Sequence, residues 1–124
     1  MAFEIEFFET ENGKCDVGDW LDDLEKRAET DKDARVQLGQ TSHAIGLLAQ
    51  NGTRNPAKIV EHLDGDIWEL RPGCNRVMLF QFVGKKFVLL HHFRKTTQKT
   101  PPAELKRAEA ERKDYLRRYG GNQK

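Results

Sequence analysis

The central sheet of this protein is predicted from residues 67–95, IWELRPGCNRVMLFQFVGKKFVLLHHFRK. Short turns at Pro72-Gly73 and at Gly84 separate its apolar segments. These segments predict strands at residues 66–71, 76–83 and 87–93. The last two are dense in valine, leucine, phenylalanine and methionine, as central strands packed on both faces are. Because turns of this length join antiparallel neighbours, the stretch predicts an antiparallel meander.

The flanking segments predict the remaining elements. Strands are expected at residues 2–9 and 58–63, and helices at residues 16–29, at residues 31–50 and from Pro101-Pro102 to Gly120-Gly121. Asp16 or Asp19 is expected to cap the first helix. Asn51-Gly52 should end the second helix, and Asp64-Gly65 should close a hairpin. Core candidates of the second helix are Val36, Leu38, Ile45, Leu47 and Leu48. The order β-α-α-β-β-β-β-α predicts an α+β fold, an antiparallel sheet with an N-terminal helical hairpin and a C-terminal helix.

Length and composition predict one domain, residues 1–124. No segment approaches the roughly 20 apolar residues that a membrane helix needs, and the acidic start MAFEIEFFE is unlike a signal peptide. We therefore expect a cytoplasmic protein with reduced thiols at Cys15 and Cys74. The sequence has no CxxC or HxxxH pair, so we expect neither a metal site nor a cofactor.

The net charge of +1 hides an uneven distribution along the chain. Residues 1–53 carry five Lys or Arg against twelve Asp or Glu, whereas residues 54–124 carry sixteen against eight. Between residues 71 and 99 there are seven basic residues and no acidic one. Such an excess indicates an anionic partner, either the phosphates of a nucleic acid or an acidic protein.

Four of the basic residues are grouped by the predicted turns. Arg71 and Arg76 flank one tight turn, so both guanidinium groups can project from the same region of the sheet. Arginine holds a phosphate through two parallel hydrogen bonds, although pairing with surface carboxylates is an alternative. Lys95 and Lys99 lie in the loop that approaches the last helix, which suits phosphate binding. A solvated basic loop is the alternative there.

Two histidines end the last predicted strand. Alternation places His91 on the face of Phe87 and Leu89, and His92 on the face of Arg94. Nearby positive charge disfavours the imidazolium, so a neutral histidine here can act as a general base. A histidine with a purely structural role is the alternative.

Together these side chains suit a ribonuclease that uses no metal. RNA supplies the nucleophilic 2′-hydroxyl, and the enzyme must accept its proton, stabilise the phosphorane and protonate the leaving 5′-oxygen. Fixed arginine and lysine groups provide the charge stabilisation, and the basic stretch offers no carboxylate cluster for two metal ions. The candidate catalytic residues are Arg71, Arg76, His92, Lys95 and Lys99, and the candidate RNA-binding residues are Lys85, Lys86, His91 and Arg94.

WELRPGCNRVMLFQF followed by FVLLHHFRKTTQKTP resembles the RelE/ParE toxin superfamily, in its phage-derived HigB-like branch. The resemblance extends over residues 3–119 and is most specific over residues 67–101. The matching positions are Glu69, Leu70, Arg71, Pro72, Gly73, Arg76, His91, Phe93, Lys95, Thr97, Lys99, Thr100 and Pro101. Two positions depart from the pattern, because His92 stands where a small residue is common and Thr96 stands where a second lysine is usual.

The resemblance implies a toxin that cleaves mRNA, often on the translating ribosome. It also implies a helix-turn-helix antitoxin, and a toxin–antitoxin complex that binds the operator DNA. The basic set that it carries over to this chain is Arg71, Arg76, Lys95 and Lys99. Two alternatives stay open: a ParE-like toxin that binds DNA gyrase without cleaving RNA, and an inactive protein that only binds nucleic acid or a partner.

Overall fold

A computed structural model describes residues 2–54 and 58–120 of the chain. Its strands are β1 (Glu4–Phe7), β2 (Val60–Asp64), β3 (Ile67–Leu70), β4 (Asn75–Phe82) and β5 (Lys86–Arg94). Its helices are α1 (Asp16–Arg27), α2 (Lys32–Asn51) and α3 (Pro102–Tyr115), and α3 continues into a π-helical turn at Leu116–Gly120. The α+β architecture and the order of elements are as predicted. Within the described ranges, no helix has the length and apolarity needed to cross a membrane.

The five strands form one sheet in the order β1-β5-β4-β3-β2. Strands β2 to β5 are antiparallel to their neighbours, which confirms the predicted meander. Strand β1 lies beside β5 and runs parallel to it, from the pair Glu4–Lys86 to the pair Phe7–Leu89. Because β1 is only four residues long, it covers only the first half of the β5 edge.

The helix ends follow from local side chains. Asp31 caps α2, since its carboxylate accepts hydrogen bonds from the backbone N–H groups of Asp33 and Ala34. Gly52 ends α2 with a φ of 62°, a left-handed value that glycine tolerates. The prediction that Asp16 or Asp19 caps α1 is wrong, because Cys15 occupies that position. The two aspartates lie in the first turn of α1, where negative charge favours the helix dipole.

Two apolar cores lie on opposite faces of the sheet. The first is covered by α1 and α2 and includes Val17, Ala44, Leu48, Val60, Leu70, Val77, Leu79, Phe87 and Leu89. The second is covered by α3 and includes Phe8, Ile67, Met78, Phe80, Val88, Leu90, Ala108 and Tyr115. Burial of each large apolar side chain contributes about 1.5–3 kcal/mol, so the two layers together hold the sheet between its helices. Strands β4 and β5 contribute to both cores, as predicted for central strands.

Helix α2 packs through smaller residues than its sequence predicted. Its buried positions are Ala34, Thr41, Ala44 and Leu48. Val36, a predicted core residue, is 47% exposed, so that prediction is wrong. Small side chains at Ala34 and Ala44 allow the helix to lie close to its neighbours. The large apolar residues of the helix, from which its core positions were predicted, do not indicate this close packing.

Strand β5 contains one residue more than its partner β4. Leu79 pairs with Leu89, yet the adjacent Met78 pairs with His91, so Leu90 is an extra residue that forms a β-bulge. Beyond a bulge the alternation of side chains between the two faces is offset by one residue. Leu90 and His91 therefore both face α3.

The bulge overturns the predicted face of His91. Phe87 and Leu89 contact the core under α1 and α2, but His91 forms its hydrogen bonds to α3 on the other face. His92 instead contacts α1, where it bonds to Asp16. The prediction that His91 shares a face with Phe87 and Leu89 is wrong, because a strict two-residue period does not hold across the extra residue.

Candidate functional site

A cleft of about 340 Å³ opens on the α3 face of the sheet, near the ends of β3 and β5. We call it the cationic cleft. It is lined by Glu61, Leu63, Glu69, Arg71, Lys95, Gln98, Lys99, Thr100 and Leu105. Three of the five predicted catalytic residues, namely Arg71, Lys95 and Lys99, therefore line one concave surface.

The turn between β3 and β4 places the two predicted arginines side by side. Leu70 pairs with Val77, and Arg71 and Arg76 are the neighbours of that pair on the side of the turn. Arg76 lies behind the wall of the cleft and is only 7% exposed. Its Nη1 group donates to the backbone carbonyls of Gly73 and Asn75, both at 2.8 Å. These bonds hold the guanidinium of Arg76 against the turn.

The Nε group of Arg76 has a different environment from its Nη1 group. It is buried and has no hydrogen-bond partner among the described residues. Burial and the neighbouring charge of Arg71 both lower the pKa of Arg76, although an arginine stays protonated at neutral pH. The guanidinium of Arg76 is thus a buried cation with an unused donor.

A buried carboxylate lies between the two arginines. Glu69 is only 4% exposed. Its Oε1 atom is 4.0 Å from Nε of Arg71 and 3.9 Å from Nε of Arg76. Its Oε2 atom accepts a hydrogen bond of 2.6 Å from the hydroxyl of Thr100. On the outer side, Oε2 of Glu61 lies 3.2 Å from Nη1 of Arg71.

The loop after β5 brings the two lysines to the cleft. The backbone N–H of Lys95 donates to the carbonyl of Cys74 at 2.8 Å. This bond joins the loop to the turn between Arg71 and Arg76, which we call the arginine turn. The hydroxyl of Thr97 donates to the carbonyl of Lys99 at 2.7 Å and shapes the loop locally. In the part of the chain that the structure describes, neither lysine forms an ion pair. Both ammonium groups are therefore available to an anion.

His92 lies in a separate cavity of about 370 Å³, which we call the His92 cavity. It is lined by Phe8, Thr10, Lys14, Asp16, Asp19, Trp20, Leu90, His92, Arg107 and Glu111. The Nδ1 atom of His92 is 2.6 Å from Oδ1 of Asp16, and the same oxygen accepts the backbone N–H of His92 at 2.9 Å. The indole of Trp20 stacks on the imidazole at 4.1 Å, with only 7° between the rings.

The carboxylate of Asp16 is the centre of the His92 cavity. Its Oδ2 atom accepts a hydrogen bond of 3.1 Å from Arg107. Burial alone would raise the pKa of Asp16, but hydrogen bonds from His92 and the charges of His92 and Arg107 lower it to about 2. Asp16 is therefore ionised at neutral pH, and it joins α1 to both β5 and α3.

The sequence comparison adds a family to this geometry. A family model described as Phage derived protein Gp49-like (DUF891) matches residues 19–113, which is more than half of the chain. The chain belongs to the Gp49-like family. That family is part of the RelE/ParE-like toxin superfamily, so the predicted superfamily is confirmed, and the HigB-like branch stays a prediction. No curated protein matches the chain significantly.

The Gp49-like match includes the arginine turn, both histidines and the lysine loop. His91, however, does not reach the surface of the cleft. His91 is completely buried. Its Nδ1 atom is 2.6 Å from Oε1 of Glu111, and its Nε2 atom is 2.9 Å from Oε1 of Glu104. Both ring nitrogens are thus engaged with α3, and no part of the ring is exposed to a large ligand.

The remaining predicted RNA-binding residues of this Gp49-like chain are spread along β5. Lys86 lies at the opposite end of the strand from the cleft and pairs with Glu6 at 2.9 Å. Lys85 precedes it in the exposed turn after β4. Arg94 is exposed and pairs with Asn75 across the sheet, next to the arginine turn. Of the three, only Arg94 lies at the cleft end of the sheet.

Sequence reasoning did not assign site roles to four polar residues of the cleft. These are Glu61, Glu69, Gln98 and Thr100. One signal was present, because Glu69 precedes Arg71 by two positions on a strand, and such residues share a face. The contact of Glu69 with Thr100 joins residues 31 positions apart and had no local signal.

Proposed function

We propose that this protein is the toxin of a type II toxin–antitoxin system and a metal-independent endoribonuclease that cleaves mRNA. The observation that carries the proposal is the cationic cleft, in which Arg71, Lys95 and Lys99 line one surface with Arg76 behind it. Membership of a toxin superfamily supports the same assignment. The cleft is the proposed site of the scissile phosphate.

Arg71 has the position and the chemistry for direct contact with the phosphate. Its side chain is 29% exposed and its nearest carboxylate contact is with Glu61, whose side chain is 43% exposed. A pair this exposed contributes roughly 0–1 kcal/mol, so an incoming phosphate can replace Glu61 at little cost. Arg71 then stabilises the negative charge that grows on the phosphorane.

Arg76 supports this charge stabilisation from behind the cleft wall. Its guanidinium is fixed by the turn and has little exposed surface, so it acts through its electrostatic field. Lys95 and Lys99 hold the phosphates on either side of the scissile bond, since their long side chains can follow the RNA backbone.

Proton transfer in this proposal uses groups of the cleft. Attack by the 2′-hydroxyl forms a bond to phosphorus, the 2′-proton passes to a base, and the 5′-oxygen leaves as it gains a proton. The groups of the described cleft that can exchange protons are Glu61, Glu69, Lys95 and Lys99. His92, the base predicted from sequence, lies in the other cavity with its Nδ1 atom bound to Asp16.

The cellular setting of the proposal follows from the toxin assignment. The toxin acts in the cytoplasm on mRNA at the translating ribosome, and a helix-turn-helix antitoxin neutralises it. It reaches operator DNA only as part of the antitoxin complex. The antitoxin is the partner that the Gp49-like family itself supports.

The experiment that tests the proposal is RNA-end mapping with the purified protein. Wild type is incubated with a synthetic mRNA, either alone in the presence of EDTA or on ribosomes in magnesium buffer. We expect new 5′-hydroxyl ends and matching 2′,3′-cyclic phosphate ends, and none with Arg71→Ala. Intact RNA in every reaction, together with growth arrest and DNA damage in expressing cells, would instead assign the protein to the gyrase-directed toxins.

A further inference from the structure

One buried carboxylate, that of Glu69, contacts both arginines of the cleft region and a threonine at the end of the lysine loop. The Oε1 atom of Glu69 faces Nε of Arg71 and Nε of Arg76 at nearly equal distances, 4.0 and 3.9 Å. Its Oε2 atom accepts the hydroxyl of Thr100 at 2.6 Å, and Thr100 ends the loop that carries Lys95 and Lys99. Glu69 therefore joins elements that are otherwise far apart in sequence.

Without a counter-charge, this arrangement would be unfavourable. Arg71 and Arg76 carry like charges on adjacent positions of the sheet, and Arg76 is almost fully buried. A buried cation is costly unless an anion compensates for it. In the described part of the chain, Glu69 is the carboxylate that lies within 4 Å of both arginines.

The distances also show what Glu69 leaves free. Separations of 3.9 and 4.0 Å are longer than hydrogen bonds, so Oε1 attracts both guanidinium groups without occupying their donors. The unpartnered Nε of Arg76 is consistent with this. An anion that enters the cleft can then receive hydrogen bonds from Arg71, which is already held in place, and the field of Arg76 adds to the attraction.

We propose that Glu69 is the positioning residue of the cationic cleft, and that its two oxygens set the arginines and the lysine loop into one phosphate-binding geometry. The catalytic consequence of this inference rests on the proposed function, whereas the geometric part does not. In this role Glu69 holds the arginines and the loop in place, and proton transfer falls to the other groups of the cleft.

The chain offers a matched control for Glu69. Glu61 also contacts Arg71, at 3.2 Å, and it lines the same cleft. It differs in that its side chain is 43% exposed, and none of its described contacts reaches Arg76 or Thr100. Glu61→Gln therefore removes a carboxylate from Arg71 and leaves the rest of the arrangement in place.

The first test needs no RNA. The arginine Nε–H signals of the intact protein are recorded by nitrogen-15 NMR for wild type, Glu69→Gln and Glu61→Gln. We expect Glu69→Gln to shift the signals of Arg71 and Arg76, and Glu61→Gln to shift only that of Arg71. An Arg76 signal that stays at its wild-type position in Glu69→Gln overturns the inference, whatever the protein does to RNA.

The second test measures cleavage of an RNA oligonucleotide. We expect Glu69→Gln to lower kcat/KM roughly 10- to 100-fold, because small displacements of positioned groups cost this much. Its pH–rate profile should keep the wild-type shape, since a positioning residue contributes no titration of its own. Loss of the acidic limb of that profile would instead make Glu69 the proton acceptor and would overturn the inference.

A third comparison tests the contact that Oε2 of Glu69 makes with Thr100. Thr100→Val removes the hydroxyl that holds the lysine loop, so we expect a raised KM with a smaller change in kcat. Thr100→Ser keeps the hydroxyl and should restore the KM of wild type. Equal KM values for the valine and serine variants would contradict the inference, and this pair also serves if Glu69→Gln does not fold.

These results distinguish the inference from the proposed function. If wild type cleaves no RNA, the proposed function fails, and the NMR comparison still decides the position of the arginines. If Arg71→Ala abolishes cleavage while Glu69→Gln cleaves at the wild-type rate, the proposed function stands and the positioning role fails.

Discussion

The cationic cleft and the His92 cavity have almost the same size, about 340 and 370 Å³, but they use their charges differently. At the centre of the His92 cavity, Asp16 pairs with both His92 and Arg107. In the cleft, Lys95 and Lys99 form no ion pair with any described residue. The paired charges of the cavity stabilise the fold, whereas the two lysines of the cleft are available to a ligand.

The pairing of charged groups therefore separates the two sites better than their volume does. His92 has the chemistry of a general base, yet its Nδ1 atom is bound to Asp16 and its ring is stacked on Trp20. Arg71 differs, because the carboxylate nearest to it among the described residues is that of Glu61, which is exposed to solvent. Substitutions in the cleft should therefore change function first, and substitutions in the cavity should change stability first.

The largest effect is expected for Arg71→Ala. The loss of this guanidinium should lower kcat/KM for RNA cleavage by about 100-fold or more, as the loss of one oxyanion-stabilising donor does. The rate is measured with a fluorescent RNA oligonucleotide, and folding is checked by circular dichroism. Lys86→Ala is the control, because Lys86 pairs with Glu6 at the far end of β5. Equal rates for the two variants would remove the functional distinction between the cleft and the rest of the surface.

A second prediction concerns the stability that the His92 cavity provides. The pKa of Asp16 in the folded protein is lowered from its ordinary value of 3.8 to about 2. Its ionised form therefore stabilises the fold at pH values above about 4. That contribution, on the order of 2 kcal/mol, should disappear as the pH falls from about 4 to about 2. Asp16→Asn should lose it at pH 7, and urea unfolding measures the difference. A gap between wild type and variant that persists below pH 2 would contradict this linkage.

A third prediction concerns the lysines of the cleft. Lys99→Ala should raise KM about 3- to 10-fold, with a smaller change in kcat, because a phosphate contact is lost away from the reacting atoms. The slope of log K against log salt should also fall by about 0.7, as expected for one contact to single-stranded nucleic acid. An unchanged salt slope would place Lys99 outside the path of the RNA.

The smallest functional effect is expected for His92→Gln. Loss of a general base costs about 100- to 10,000-fold, so a change below about three-fold would show that His92 does not transfer the proton. Unfolding in urea should register the substitution more strongly, because the contacts with Asp16 and Trp20 are altered. A rate that collapses while stability is kept would join the His92 cavity to the active site.

Much of the fold could be predicted from local sequence. The turns at Pro72-Gly73 and Asp64-Gly65 predicted the meander, and the apolar β4 and β5 predicted strands buried on both faces. The parallel pairing of β1 could not be predicted, because strand direction depends on a crossover and leaves no mark in a four-residue segment.

The candidate site was predictable in part, for a similar reason. Arg71 and Arg76 flank a turn, so their proximity is a local property of the chain. The contact between Glu69 and Thr100 depends on how the last loop folds back, and the face of His92 depends on the bulge. Both are tertiary features that a two-residue period cannot represent.

The extra residue at Leu90 acts as a spacer that assigns each histidine to a helix. With it, His91 bonds to α3 and His92 bonds to α1. If the strand kept Leu90 but paired without the bulge, Leu90 would lie opposite Met78 and the two histidines would exchange faces. Comparisons of related sequences across this strand should therefore be anchored on the β4 partner, Met78 or Leu79, and not on the histidine pair itself.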